Sequence, residues 1–94
     1  MNERAHVFVE GRVQGVNFRG FARRAALELG LKGWVRNLYD GRVELLAEGD
    51  RAGLDQFVER LKAGPPFARV DQVRVRWDSA TGEFTDFRVG WTDF

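Results

Sequence analysis

Gly11-Arg12-Val13-Gln14-Gly15-Val16-Asn17-Phe18-Arg19 is a stretch with two glycines, two arginines and no acid, set between an apolar run and a helical one. A phosphate suits that chemistry. Gly15 has no Cβ, so the backbone there can curl until the amides of Gln14, Gly15, Val16, Asn17 and Phe18 point inward as a nest for an anion. Arg19 adds a planar guanidinium that can grip two phosphoryl oxygens at once, a fork that lysine cannot copy. After it, Phe18, Phe21, Ala22, Ala25 and Leu29 recur at helical offsets and Gly30 supplies the stop, which makes Asn17 the expected N-cap. The first turn of a helix favours Asp or Glu, which complement the dipole and the free N–H groups. Here Arg19, Arg23 and Arg24 come early, Gly20 takes the place of a capping-box Glu, and no acid appears before Glu28. A bound anion would fill that gap. Taken without other information, the same residues also fit a plain turn with solvated arginines.

The elements that must hold this loop follow from periodicity. Residues 5–10 are rich in β-branched and aromatic types and read as a strand entering the loop. Residues 31–38 and 42–48 read as two more strands, and Tyr39-Asp40-Gly41 between them signals a hairpin, because Asp-Gly tolerates the positive φ of a tight turn. A second helix is expected from Asp50 or just after it. Leu54, Phe57, Val58 and Leu61 form its apolar face, and Gly64-Pro65-Pro66 ends it. Val73, Val75 and Trp77 alternate with Arg74, Arg76 and Asp78 as a fourth strand; residues 79–83 turn, and Phe87 and Val89 mark a last strand ending near Trp91. The order suits a ferredoxin-like α+β sandwich, β-α-β-β-α-β, with two helices on one face of a mainly antiparallel four- to five-stranded sheet.

At this point the loop resembles the signature of the acylphosphatase family, including both glycines, the Gln and the terminal Arg. Gly33-Trp34-Val35-Arg36-Asn37-Leu38-Tyr39-Asp40-Gly41 resembles a second family stretch at the expected place. The resemblance runs from about His6 to Val89. It implies the same ferredoxin-like fold and hydrolysis of the carboxyl–phosphate bond of acyl phosphates. Carried over residue by residue, it makes Arg19 and Asn37 catalytic, with Arg19 on the phosphoryl group beside the 14–19 loop and the Asn37 carboxamide on the attacking water. On the residues alone, Asn37 reads as a turn asparagine before Asp40-Gly41, and Gln14 and Asn17 as loop bracing and helix capping. Tyr39 stands where the family pattern leads one to expect a small residue or proline. The implied mechanism needs no protein base, the substrate phosphate taking the water's proton, and no cofactor. Inorganic phosphate is implied as product and inhibitor.

Composition bounds the rest. A chain of 94 residues supports one domain, 1–94, with one core. Fifteen basic against fourteen acidic side chains argue against broad capture of nucleic acid or membrane. The absence of cysteine excludes disulfides, thiolate catalysis and thiolate metal sites, and no cluster of His or carboxylates marks a metal. His6 has no partner nearby in sequence and receives no role. No apolar stretch reaches the length of a membrane span, and no apolar leader precedes the first strand, so a cytoplasmic location is expected; a monomer is expected as well. An RNA-binding module of the same fold would display aromatics on an open sheet face; Phe8, Trp34 and Phe87 are read instead as edge packing. A hydrogenase-maturation carbamoyl transferase attaches zinc-binding cysteines and further domains after such a fold; this sequence stops at Phe94 with no cysteine, so a stand-alone enzyme is expected.

Overall fold

In the computed structural model, which describes residues 2–90, the chain forms β1 (Glu3–Arg12), α1 (Phe18–Glu28), β2 (Lys32–Asn37), β3 (Val43–Gly49), α2 (Arg51–Ala63), β4 (Arg69–Ser79) and β5 (Phe87–Val89). The sheet order is β4-β1-β3-β2-β5; β1 pairs antiparallel with β3 and β4, β2 antiparallel with β3, and β5 parallel with β2. This is the expected ferredoxin-like α+β sandwich.

Alternation along the strands builds the core. Ala5, Val7 and Val9 of β1, Val35 of β2, and Val43, Leu45 and Ala47 of β3 are completely buried on one face. Leu54, Phe57 and Leu61 of α2 meet that face, with Phe18, Ala22, Ala25 and Ala26 of α1. Burying each of the larger side chains contributes about 1.5–3 kcal/mol. Helix α1 packs against β2 and β5, and α2 against β4, β3 and β1. Asp50 caps α2, its carboxylate accepting from the Gly53 amide at 2.8 Å.

The other face of the sheet is not bare. Glu44 and Glu48 lie there, 7% and 6% exposed, under the side chains that pair with them. His6 Nε2 meets Glu44 at 2.6 Å and Arg36 Nε donates to the same carboxylate at 2.8 Å, so His6 has a partner 38 residues away that its local sequence conceals. Phe87 stands on the edge strand β5 but turns to the helix side. It is buried edge-on against Phe57, 5.9 Å between centroids. Phe8 and Trp34 are on the outer face, each beneath a guanidinium 4.7 Å from its ring, Arg42 over Phe8 and Arg36 over Trp34. The fourth strand begins four residues before Val73, because Arg69 and Val70 pair with Arg12 and Gly11 beyond a register slip after Glu10. The expected strand end near Trp91 lies outside the described residues.

Candidate active site

The loop from Val13 to Asn17 leaves β1 and delivers the chain to the N-terminus of α1. Gly15 takes a left-handed φ of 74° with open space around it. Asn17 follows at φ 62°, the one non-glycine with positive φ among the described residues, and occupies the N-cap position without a side-chain capping bond. The capping expected of its side chain is therefore not made. Its carboxamide instead lies over Gly20, in the space a Cβ there would occupy. Among the described residues, no backbone carbonyl or side chain accepts a hydrogen bond from the amides of residues 15–19. No acid stands in the first turn of α1. These amides and the positive end of the dipole face one place.

Arg19 and Asn37 reach that place from two elements, α1 and the end of β2. On β2, Val35 points to the helices, Arg36 to the outer face and Asn37 back to the helix side, so alternation aims the Asn37 carboxamide at the start of α1. Arg19 Nη1 donates to the Gly90 carbonyl at 3.1 Å, just beyond β5, and Arg23 Nε to the Phe87 carbonyl at 3.2 Å. The parallel strand thus orients Arg19 through its backbone. A cavity of about 260 Å³ is lined by Val13, Gly15, Asn17, Phe18, Arg19, Gly20, Asn37 and Val89. Of the expected site residues, Gln14 and Val16 do not line it. Val16 packs on the core, and the Gln14 side chain donates to the carbonyls of Leu38 and Arg42 at 2.7 and 2.9 Å. Val89 and the Gly90 carbonyl were not foreseen, since a parallel pairing of distant segments leaves no local signature.

The turn after Asn37 is closed by Leu38 N–H to the Arg42 carbonyl at 2.8 Å and Gly41 N–H to the Leu38 carbonyl at 3.2 Å. Asp40 holds it from outside: the Arg42 amide above all, aided by the Arg42 guanidinium, keeps its carboxyl below the usual range. Tyr39 is 68% exposed on this turn. Among the described residues, no group of three or more His, Asp or Glu converges as a metal site.

A family model described as Acylphosphatase matches residues 5–89. The chain belongs to the acylphosphatase family. An acylphosphatase of Roseiflexus sp. is 54% identical over 88 residues, 94% of this chain and 95% of that protein. One from Methylococcus capsulatus is 58% identical over 87 residues, 93% and 95% of the two chains. The crystal structure of the acylphosphatase from Bacillus subtilis superposes with a TM-score of 0.91 at 41% identity, covering 94% of this chain and 98% of that one. As a member of this family the chain is an enzyme that hydrolyses acyl phosphates to carboxylate and inorganic phosphate.

Proposed function

We propose that the 14–19 loop holds the phosphoryl group of the substrate, that Arg19 grips its oxygens, and that Asn37 holds the attacking water. The observation that carries this reading is the convergence on one cavity of Arg19, Asn37 and a helix start whose loop amides meet no protein acceptor among the described residues and whose first turn holds no acid. Charge spread over the phosphoryl oxygens in the transition state meets the Arg19 guanidinium and the backbone N–H groups, already oriented by the fold. The carboxylate leaves as a weak base, with pKa about 4, so no protein acid need protonate it. The water adds to phosphorus as the P–O bond to the acyl group breaks, and its proton passes to a phosphoryl oxygen. Positioning supplies the rest.

The reading extends to a single-domain, cytoplasmic monomer that needs no metal ion and is inhibited competitively by its phosphate product. Among the described residues, no helix is long and apolar enough to cross a membrane. A single-strand RNA-binding role is not favoured, because the outer-face aromatics Phe8 and Trp34 are covered by Arg42 and Arg36 rather than open to bases. The test is release of inorganic phosphate from acetyl and benzoyl phosphate, with and without excess chelator, across a series of added phosphate. Chelator-insensitive turnover with competitive phosphate inhibition is expected. A rate lost to chelator and restored by one divalent ion would overturn the metal-free mechanism, and fractionation with light scattering tests location and monomer.

A further inference from the structure

Gln14 sits in the phosphate loop but spends its side chain elsewhere. Its Nε2 donates both hydrogens across to the turn after Asn37, to the Leu38 carbonyl at 2.7 Å and the Arg42 carbonyl at 2.9 Å. Those carbonyls also accept the two backbone bonds that close the turn, from Gly41 and Leu38. Both donors of one carboxamide therefore hold the turn at its two ends. No carboxylate can replace it, since the partners are both acceptors. Upstream, Asn37 is fixed by its pairing with Val43 at the end of β2; downstream, the next residue is Leu38, one of the two that Gln14 grips.

We infer that Gln14 is a positioning residue: it ties the phosphate loop to the Asn37 turn and so sets the distance between the held phosphoryl group and the held water. The inference rests on the water-holding role proposed for Asn37. Phosphate and nucleophile reach the site on separate segments, a loop after β1 and the end of β2, with the cavity between them. An in-line attack needs the two in register to within a fraction of an ångström. Misplacement by about 1 Å costs on the order of 10²-fold in rate. The Gln14 link is a direct side-chain bridge between those segments.

The test is a double-mutant cycle of Gln14→Met and Asn37→Ala, reading kcat and phosphate Ki. Gln14→Met keeps the length of the side chain and removes both donors. It is expected to lower kcat by about 10- to 100-fold, with phosphate Ki unchanged, and to slow Asn37→Ala no further, because nothing is left for it to position. A merely structural contact would slow both backgrounds alike. Should Gln14→Met fail to fold, Gln14→Asn, whose shorter chain cannot span both carbonyls, carries the same cycle. The ¹⁵N signals of the Asn37 carboxamide give a readout independent of turnover, and are expected to shift and broaden in the Gln14 variant. If Asn37→Ala itself keeps the parental kcat, the water-holding role fails, whatever Gln14 does. If Asn37→Ala is slow, the inference about Gln14 is overturned by equal slowing in both backgrounds, by weakened phosphate inhibition, or by unperturbed Asn37 signals.

Discussion

At the scale of single residues, the two proposed catalytic groups differ in what each touches, and kinetics can separate them. Arg19 is turned toward the cavity by a backbone carbonyl, Gly90, which uses one of its five N–H donors and leaves the rest of the fork for the phosphoryl oxygens. Arg19→Lys keeps the charge and loses the fork, so a loss in kcat/KM on the order of 10³-fold is expected, together with loss of phosphate inhibition. A folded Arg19→Lys protein with near-parental turnover removes Arg19 from the mechanism. Asn37 meets the water instead. Asn37→Ala is expected to lower kcat by roughly 10²- to 10³-fold while phosphate Ki stays parental. Were Asn37 only a turn residue, its loss would lower the melting temperature and leave turnover per folded molecule intact.

At the scale of elements, strand and helix periodicity was enough to place both motifs, and failed where a contact is distant in sequence. The Asp-Gly turn and the face Leu54, Phe57, Val58 and Leu61 are local patterns, and each element stands where its pattern puts it. The acid-free start of α1 was legible for the same reason. Asn17 stands at the expected N-cap position, but its left-handed φ, set by the whole loop, leaves its side chain without a capping bond. His6 was unreadable because Glu44 reaches it only through β1–β3 pairing. Gly33 is a further case. It joins Trp34-Val35-Arg36-Asn37 as a motif residue, yet it lies well away from the cavity: at φ 147°, a Cβ there would fall on the Leu46 carbonyl of β3. Close approach of two strand backbones requires glycine. Gly33→Ala is expected to destabilise the fold by roughly 3 kcal/mol or more, combining backbone strain with displacement of the paired strand. Urea unfolding checks it: a variant within 1 kcal/mol of the parent would show that β2 shifts freely. Turnover per folded molecule should change far less than stability, since β2 holds Asn37 by its other end.

At the scale of the whole molecule, stability depends on the face of the sheet turned away from the helices. Glu48 is buried on central strand β3 and gathers four groups: Arg4 Nε at 2.8 Å, the Thr81 amide at 2.9 Å, the Thr81 hydroxyl at 3.2 Å and the Gly82 amide at 3.0 Å. It thereby pins the β4–β5 connection at Thr81 and Gly82. Burial alone would raise the Glu48 pKa, but the donors from Thr81, Arg4 and Gly82 together outweigh it and the net direction is down. Glu83 is lowered too, first by its hydrogen bond from Arg4. A carboxyl with a depressed folded-state pKa contributes stability that is fully present above its unfolded pKa, about 4.3 for Glu, and is lost as pH falls through the folded value. Arg4 is raised, its bonds to Glu83 and Glu48 overcoming desolvation, and stays charged throughout the acid range, so the acid slope belongs to the carboxylates. The melting temperature is therefore expected to be flat from about pH 6 to 8 and to fall below about pH 4. Glu48→Gln removes the ionised acceptor while keeping the shape. At pH 7 it is expected to cost about 2 kcal/mol, on the order of 10 °C in Tm for a chain of this length. Its acid limb should be shallower than the parent's, so that the two curves converge toward pH 2. Thermal unfolding of both proteins from pH 2 to 8 decides it: parallel curves with a constant offset would mean that Glu48 acts through packing alone and that the acid sensitivity lies in other carboxylates.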